Sequence, residues 1–154
     1  MTKKLTILLL AIIAAFTTVT AQTAAVRWRS TAKMTSATEG VLTVKAIIAD
    51  GWHLYGTQIP EGGPVATSFD FKASTGLKFT GPFVQSVKPI SKEDPTFGMT
   101  LSFWEKSVTF TRKFKLTGPF DKALINGQIR YMACNDQNCM PPKTESVKIQ
   151  PKAL

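Results

Sequence analysis

The residues best equipped for chemistry are two sulfurs. Cys134 and Cys139 are the only cysteines, and they lie in the stretch Tyr-Met-Ala-Cys-Asn-Asp-Gln-Asn-Cys-Met-Pro-Pro-Lys-Thr from Tyr131 to Thr144. Asn135, Asp136 and Asn138, which stand between them, are turn formers, so the chain can fold back and bring the sulfurs within bonding distance. A bridge closing so short a loop stabilises by roughly 2 kcal/mol through loop entropy, well below what it would give by joining distant strands. Held at an exposed turn, the pair is instead reachable by another protein's thiolate, which attacks along the sulfur–sulfur axis. A structural staple, the usual role of paired cysteines in exported domains, is the other reading.

The residues around the sulfurs narrow the chemistry. The sequence has no phosphate-cradling glycine loop, no His-Glu-x-x-His, no Gly-x-Ser-x-Gly and no second histidine, so nucleotide hydrolysis, zinc proteolysis and serine-triad catalysis lack their parts. It also lacks the Cys-x-x-Cys spacing that sets one thiol at a helix N-terminus and lowers its pKa. Asp136 lies between the cysteines, and a carboxylate beside a thiol disfavours a second negative charge, so reduced thiols are expected to stay protonated. Met132 and Met140 add soft donors, which makes a copper(I) carrier an alternative, although methionines beside strand ends usually pack. The lone His53 reads as a strand residue. Trp52, Tyr55 and Phe97 read as core or edge aromatics that could screen the sulfurs. No cofactor or resident metal is expected.

The elements that must position this pair begin after a leader. Lys3 and Lys4 precede an apolar run from Leu5 to Phe16, and Val19-Thr20-Ala21 supplies the small residues of a cleavage site, the pattern of a secretory signal peptide over residues 1–21. The run is shorter than the roughly 20 residues a membrane span needs, so no stable membrane insertion is expected after cleavage. No cysteine follows it, which argues against a lipid anchor. Removing 21 of 154 residues leaves 133, residues 22–154, a single-domain length that can bury a core without help from a disulfide. Losing the two leader lysines lowers the net charge from +9 to about +7. The lysines are dispersed and lack an aromatic RNA-binding pattern, so solubility or attraction to acidic partners is expected rather than nucleic acid.

Hydrophobic alternation then recurs along the chain. Ala25–Ser30 and Val41–Ala49 read as strands, the second with Leu42, Val44, Ala46 and Ile48 on one face. Trp52–Tyr55 resumes extended character before the glycine- and proline-rich loop Ile59–Pro64. Thr67–Phe71 and Leu77–Phe79 read as short strands, and Ser91–Gly98 as a long charged loop. Val108, Phe110, Phe114 and Leu116 alternate in the clearest half-buried strand, although Arg112 interrupts its apolar face. Ile125–Ala133 leads into the cysteines, and Val147 and Ile149 alternate after them, so the pair sits where two antiparallel strands meet. No segment after the leader carries a capped 3.6-residue period, and the whole predicts an all-β, antiparallel, immunoglobulin-like β-sandwich.

Several of these pieces together resemble one family. Asp50-Gly51-Trp52-His53-Leu54-Tyr55, Gln58-Ile59-Pro60-Glu61-Gly62-Gly63-Pro64, Glu93-Asp94 followed by Phe97-Gly98, and Cys134 to Cys139 followed by Pro141-Pro142 occur in this order, as in the N-terminal periplasmic domain of the thiol:disulfide interchange protein DsbD and its stand-alone relatives. The resemblance implies a periplasmic, oxidoreductase-like electron-transfer domain of immunoglobulin-like fold. Its cysteine pair takes electrons from a thioredoxin-like donor and passes them to oxidised client proteins. It further implies that a loop, here Glu93 to Gly98, caps the disulfide, that His53 and Tyr55 take the places of aromatics beside the sulfurs, and that Cys139 forms the mixed disulfide. Phe97 would then gate exchange, and Glu93 and Asp94 would add to the acidic field. This chain departs in placing four residues between the cysteines where the best-known members have five, and Pro95-Thr96 where they carry an acidic and an aromatic residue. The family's full-length reductase continues into membrane and thioredoxin-like domains, whereas this sequence ends at Leu154, so a separate electron donor is expected. An immunoglobulin-like binding domain with an inert disulfide and a copper(I) carrier are the competing expectations.

Overall fold

The computed structural model describes residues 24–154, so the expected signal peptide lies outside the described residues. In chain order the strands are β1 (Val26–Met34), β2 (Glu39–Ile48), β3 (His53–Tyr55), β4 (Ser68–Asp70), β5 (Leu77–Gln85), β6 (Ile90–Asp94), β7 (Met99–Trp104), β8 (Ser107–Leu116), β9 (Ile125–Tyr131), β10 (Ala133–Cys134) and β11 (Lys143–Ile149). A 3₁₀ turn, Phe120–Lys122, precedes β9.

One layer is the four-stranded sheet β1-β2-β8-β5. The facing layer is built from the orders β11-β9-β4 and β10-β3-β7-β6. Met132 alone separates β9 from β10, and its carbonyl accepts the Tyr55 N–H at 3.2 Å, so β9 and β10 act as one interrupted strand that joins the two halves. Pairing within the strand ladders is antiparallel throughout. The sandwich of antiparallel sheets is thus the fold that the alternation predicts.

The core lies between the layers, where alternate residues of each strand turn inward. Leu42, Val44 and Ala46 of β2, Val108, Phe110 and Phe114 of β8, Leu54 of β3, Trp104 of β7 and Ile125 and Ile129 of β9 are all buried in one cluster. Aromatic contacts cross the gap: Trp28 meets Tyr131 with ring centroids 5.3 Å apart, and Trp104 meets Phe110 at 5.2 Å. Trp52 packs against this cluster rather than near the sulfurs. Arg112 fits an apolar strand face because it leans outward: its guanidinium sits over the rings of Phe79 and Phe83, and its Nε donates to the Gly81 carbonyl at 2.8 Å.

Several expected elements need correction. Ser91–Gly98 is not a continuous loop, because Ile90–Asp94 forms edge strand β6, paired with β7 from Ile90↔Phe103 to Asp94↔Met99. Strand β7 itself went unread. An edge strand with only one neighbour shows little apolar alternation, and the Ser-Lys-Glu-Asp run concealed it. β1 and β5 also run longer than expected, β5 through an irregularity between Thr80 and Val84.

Candidate functional site

Cys134 and Cys139 form a disulfide, with their Cα atoms 4.0 Å apart. The turn between them is held by Asn135, whose side-chain oxygen accepts from the Gln137 N–H at 3.0 Å and the Asn138 N–H at 2.6 Å. Its own N–H donates to the Asn138 carbonyl at 2.8 Å, and the Met140 N–H donates to the Ala133 carbonyl at 3.0 Å. The asparagine is therefore the reason the loop closes: its amide takes the place of a backbone acceptor. This miniature hairpin hangs in the connection between β9 and β11, which pair from Tyr131↔Lys143 onward. The two sulfurs are not equivalent. Cys134 is 3% exposed and packs beside Tyr55, Leu101 and Phe103, whereas Cys139 is exposed.

The sheet β10-β3-β7-β6 presents one face to the main core and the other to the disulfide. Directly opposed residues of an antiparallel pair point to the same face. Ala133, Leu54 and Trp104 form the core-facing row, and Cys134↔His53, Tyr55↔Phe103 and Phe103↔Ile90 form the outer one. A second apolar cluster covers that outer face, made of Tyr55, Leu101, Phe103 and Cys134, with Ile59, Phe97, Met99 and Met132 packed on it. Beside it opens a groove of about 620 Å³ whose lining includes Cys134, His53, Phe103, Glu105, Thr96 and Asp136.

A turn after β6 closes over part of this face. The Asp94 carboxylate accepts the Tyr55 hydroxyl at 2.8 Å, the Thr96 N–H at 2.9 Å and the Phe97 N–H at 3.3 Å. The Gly98 N–H donates to the Asp94 carbonyl at 2.8 Å, with Gly98 at φ 62° in the left-handed region. Phe97 meets the Tyr55 ring edge-on, centroids 5.9 Å apart. Burial, and then the hydrogen bond and charge of Asp94, push the Tyr55 phenol well above its ordinary pKa; burial, with the Glu145 charge, raises Tyr131 as well. The fold thus favours both phenols protonated, a contribution complete below the ordinary tyrosine range and lost as pH rises through and beyond it.

The structure gathers most of the residues singled out in the sequence. His53 pairs with Cys134 across the sheet, and its Nε2 lies 3.0 Å from Glu105 Oε1. Phe97 and Tyr55 share the apolar cluster of Cys134, and Glu93, Asp94 and Asp136 line the groove. Asp94 acts as a structural acceptor besides carrying charge. Met132 packs in the sulfur cluster and Met140 against the main core, so the two methionines belong to different apolar environments. Among the described residues no three histidine, cysteine or carboxylate side chains cluster as a metal site. Sequence reasoning missed Phe103 and Glu105 because it missed β7. The Met99, Leu101, Phe103 alternation was the available signal.

Comparison with known proteins agrees with this architecture. The N-terminal periplasmic domain of ScsB from Proteus mirabilis superposes with a TM-score of 0.61 at 19% identity, covering 83% of this chain and 47% of that one. This chain therefore spans about half the length of that structure. The reduced N-terminal domain of DsbD from Neisseria meningitidis superposes with a TM-score of 0.53 at 19% identity, covering 79% and 83% of the two chains. At that identity the two superpositions establish the fold. No curated protein matches the sequence significantly. Among the described residues no helix is long and apolar enough to cross a membrane. Residues 18–151 match the family of the N-terminal part of the thiol:disulfide interchange protein DsbD, and the chain therefore belongs to that family, which works in thiol–disulfide exchange.

Proposed function

We propose that this domain is exported to the periplasm and passes reducing equivalents from a thioredoxin-like donor to oxidised client proteins through Cys134 and Cys139. The observation that carries this reading is the unequal burial of the two cysteines: one is open to a partner and the other is packed against the sheet. A donor thiolate attacks Cys139 Sγ, the disulfide breaks, and its electron pair goes to Cys134, which ends as a thiol. The donor's second thiol then attacks its own sulfur in the mixed disulfide and frees Cys139, so two electrons and two protons have moved. Delivery to a client runs the same steps in reverse, with Cys139 attacking and Cys134 resolving. The Asp94–Gly98 turn and Phe97 shield the face around Cys134 from chance thiols, and a docked partner displaces them.

The test loads Cys139 of a Cys134→Ser protein with thionitrobenzoate. A reduced thioredoxin-like domain lacking its resolving cysteine should release thionitrobenzoate and stay covalently attached at Cys139, much faster than a small thiol at equal thiolate concentration. Equal rates for the two would show that no partner is recognised and would sink the proposal. A disulfide with a potential below about −300 mV, where structural bridges lie, would favour the binding-domain alternative instead.

A further inference from the structure

Opening the disulfide creates a problem that its surroundings must solve. When a thiolate attacks Cys139, negative charge develops on Cys134, the buried sulfur. Burial disfavours a thiolate, and a poorer leaving group slows exchange, so a proton has to reach Cys134 from a neighbouring group. Because Cys134 is only 3% exposed, bulk water is a poor source.

The groups facing this position can be taken one by one. Lys92, Glu93 and Asp94 come from β6, Glu105 follows β7, Asp136 comes from the disulfide loop, and His53 comes from β3. Free carboxylates are ordinarily ionised at neutral pH and have no proton to give, while a lysine ordinarily keeps its own. Asp94 is already engaged by the Tyr55 hydroxyl and two backbone N–H groups, and Tyr55, which shares the apolar cluster of Cys134, has its one hydrogen committed to that carboxylate and is held protonated by burial. Histidine is the side chain whose ordinary titration falls near neutrality, and His53 is the direct cross-strand partner of Cys134, on the same face of the sheet. Its ring lies against Phe103, centroids 4.6 Å apart, and its Nε2 is 3.0 Å from Glu105 Oε1. A carboxylate only accepts hydrogen bonds, so Nε2 keeps its hydrogen in both charge states and Nδ1 is the nitrogen that gains and loses a proton.

We infer that His53, oriented by Glu105, hands a proton to Cys134 as the disulfide opens and takes it back as the disulfide re-forms. The inference rests on the exchange function proposed above and names its acid–base residue. On opening, the attacking thiolate and Cys139 share a new sulfur–sulfur bond, Cys134 leaves with the old electron pair, and imidazolium Nδ1–H passes its proton to that sulfur. On closing, neutral Nδ1 accepts the Cys134 proton while the thiolate so formed expels the client thiolate from Cys139. Glu105 is a positioning residue, since it acts only through the ring.

Dithiothreitol provides the probe, because it needs no docking and its thiolate concentration follows from its own ionisation. For the parent protein the rate constant per dithiothreitol thiolate should fall by at least about tenfold as pH rises and imidazolium gives way to neutral imidazole. The His53→Gln protein should react at the lower rate with no such fall, and Glu105→Gln, in which the ring loses the carboxylate that orients it, should show a smaller fall than the parent. Thermal unfolding and thiol counts identify variants that fold and carry the intact disulfide. A His53→Gln profile that still falls as the parent's does, or a flat parent profile, overturns the inference. A parent profile that falls as expected, in a protein that thioredoxin-like partners ignore, upholds the proton transfer and removes only the exchange function.

Discussion

Asp94 was picked out in the sequence for its charge, but its geometry is what distinguishes it. One oxygen takes the Tyr55 hydroxyl and the other takes the N–H groups of Thr96 and Phe97, so one carboxylate ties the turn after β6 to the floor beneath it. The signal for the local half of this arrangement was present, since an aspartate bonding its own backbone two and three residues on is a common turn device. The other half was not, because the 39-residue separation from Tyr55 gives no local pattern. Asp94→Ala should cost about 2 kcal/mol, the scale of hydrogen bonds to a charged group at a partly exposed site. It should also speed dithiothreitol reduction of the disulfide several-fold, because the turn and Phe97 then move freely. Asp94→Asn, which can still accept from both backbone N–H groups, should fall between the two proteins in both measurements. Denaturant unfolding and the reduction rate check this. An Asp94→Ala protein that loses stability without gaining reactivity would mean the turn covers nothing that matters to exchange.

The element that ranks next is the hairpin of β6 and β7, which was also the least legible. Strands with two hydrogen-bonded neighbours, such as β2 and β8, announced themselves by alternation because one face had to be apolar along their whole length. The edge strand β6 borders only β7 and leaves most of its residues in water, so its composition is that of a loop. Nearly everything that surrounds the sulfurs, apart from β3 and the cysteine loop, is delivered by this hairpin, which is why the sequence named several residues around the sulfurs but not the strand that carries Phe103. Its geometry depends on Gly98, which adopts φ 62° and has no atom within 4 Å of where a Cβ would stand. Gly98→Ala should therefore cost about 1–2 kcal/mol through backbone strain alone, and Gly98→Asn less, because asparagine tolerates the left-handed region. Hydrogen exchange should show faster opening over residues 94–98 in the alanine protein and near-parent behaviour in the asparagine protein. Equal losses in both would mean that the left-handed backbone at Gly98 is not what holds the turn.

Across the whole molecule, the disulfide sits at the rim while the energy sits between the layers. The alternation of β2, β8 and β9 was enough to predict a sandwich, because two facing sheets are the arrangement that buries so many single-sided strands at once. The order of strands and the interruption at Met132 were not legible, since pairing between distant segments leaves no local mark. Of the largest fully buried side chains, Phe110, Phe114, Leu42 and Leu54 belong to the main core, and Tyr55 and Leu101 to the smaller cluster that holds Cys134. The bridge closes a loop with a sequence separation of 5, so its entropic contribution is roughly 2 kcal/mol. A protein with Cys134→Ala and Cys139→Ala together should stay folded, with an unfolding free energy, measured by denaturant, lowered by that amount and a little more for the small void beside Leu101 and Phe103. Phe110→Ala in the central core should cost more, about 3–5 kcal/mol. The order of these two losses separates a bond kept for exchange from one kept to hold the domain together. Were the cysteine-free protein to unfold while Phe110→Ala survived, the bridge would be the domain's staple, and its openness at Cys139 would need another explanation.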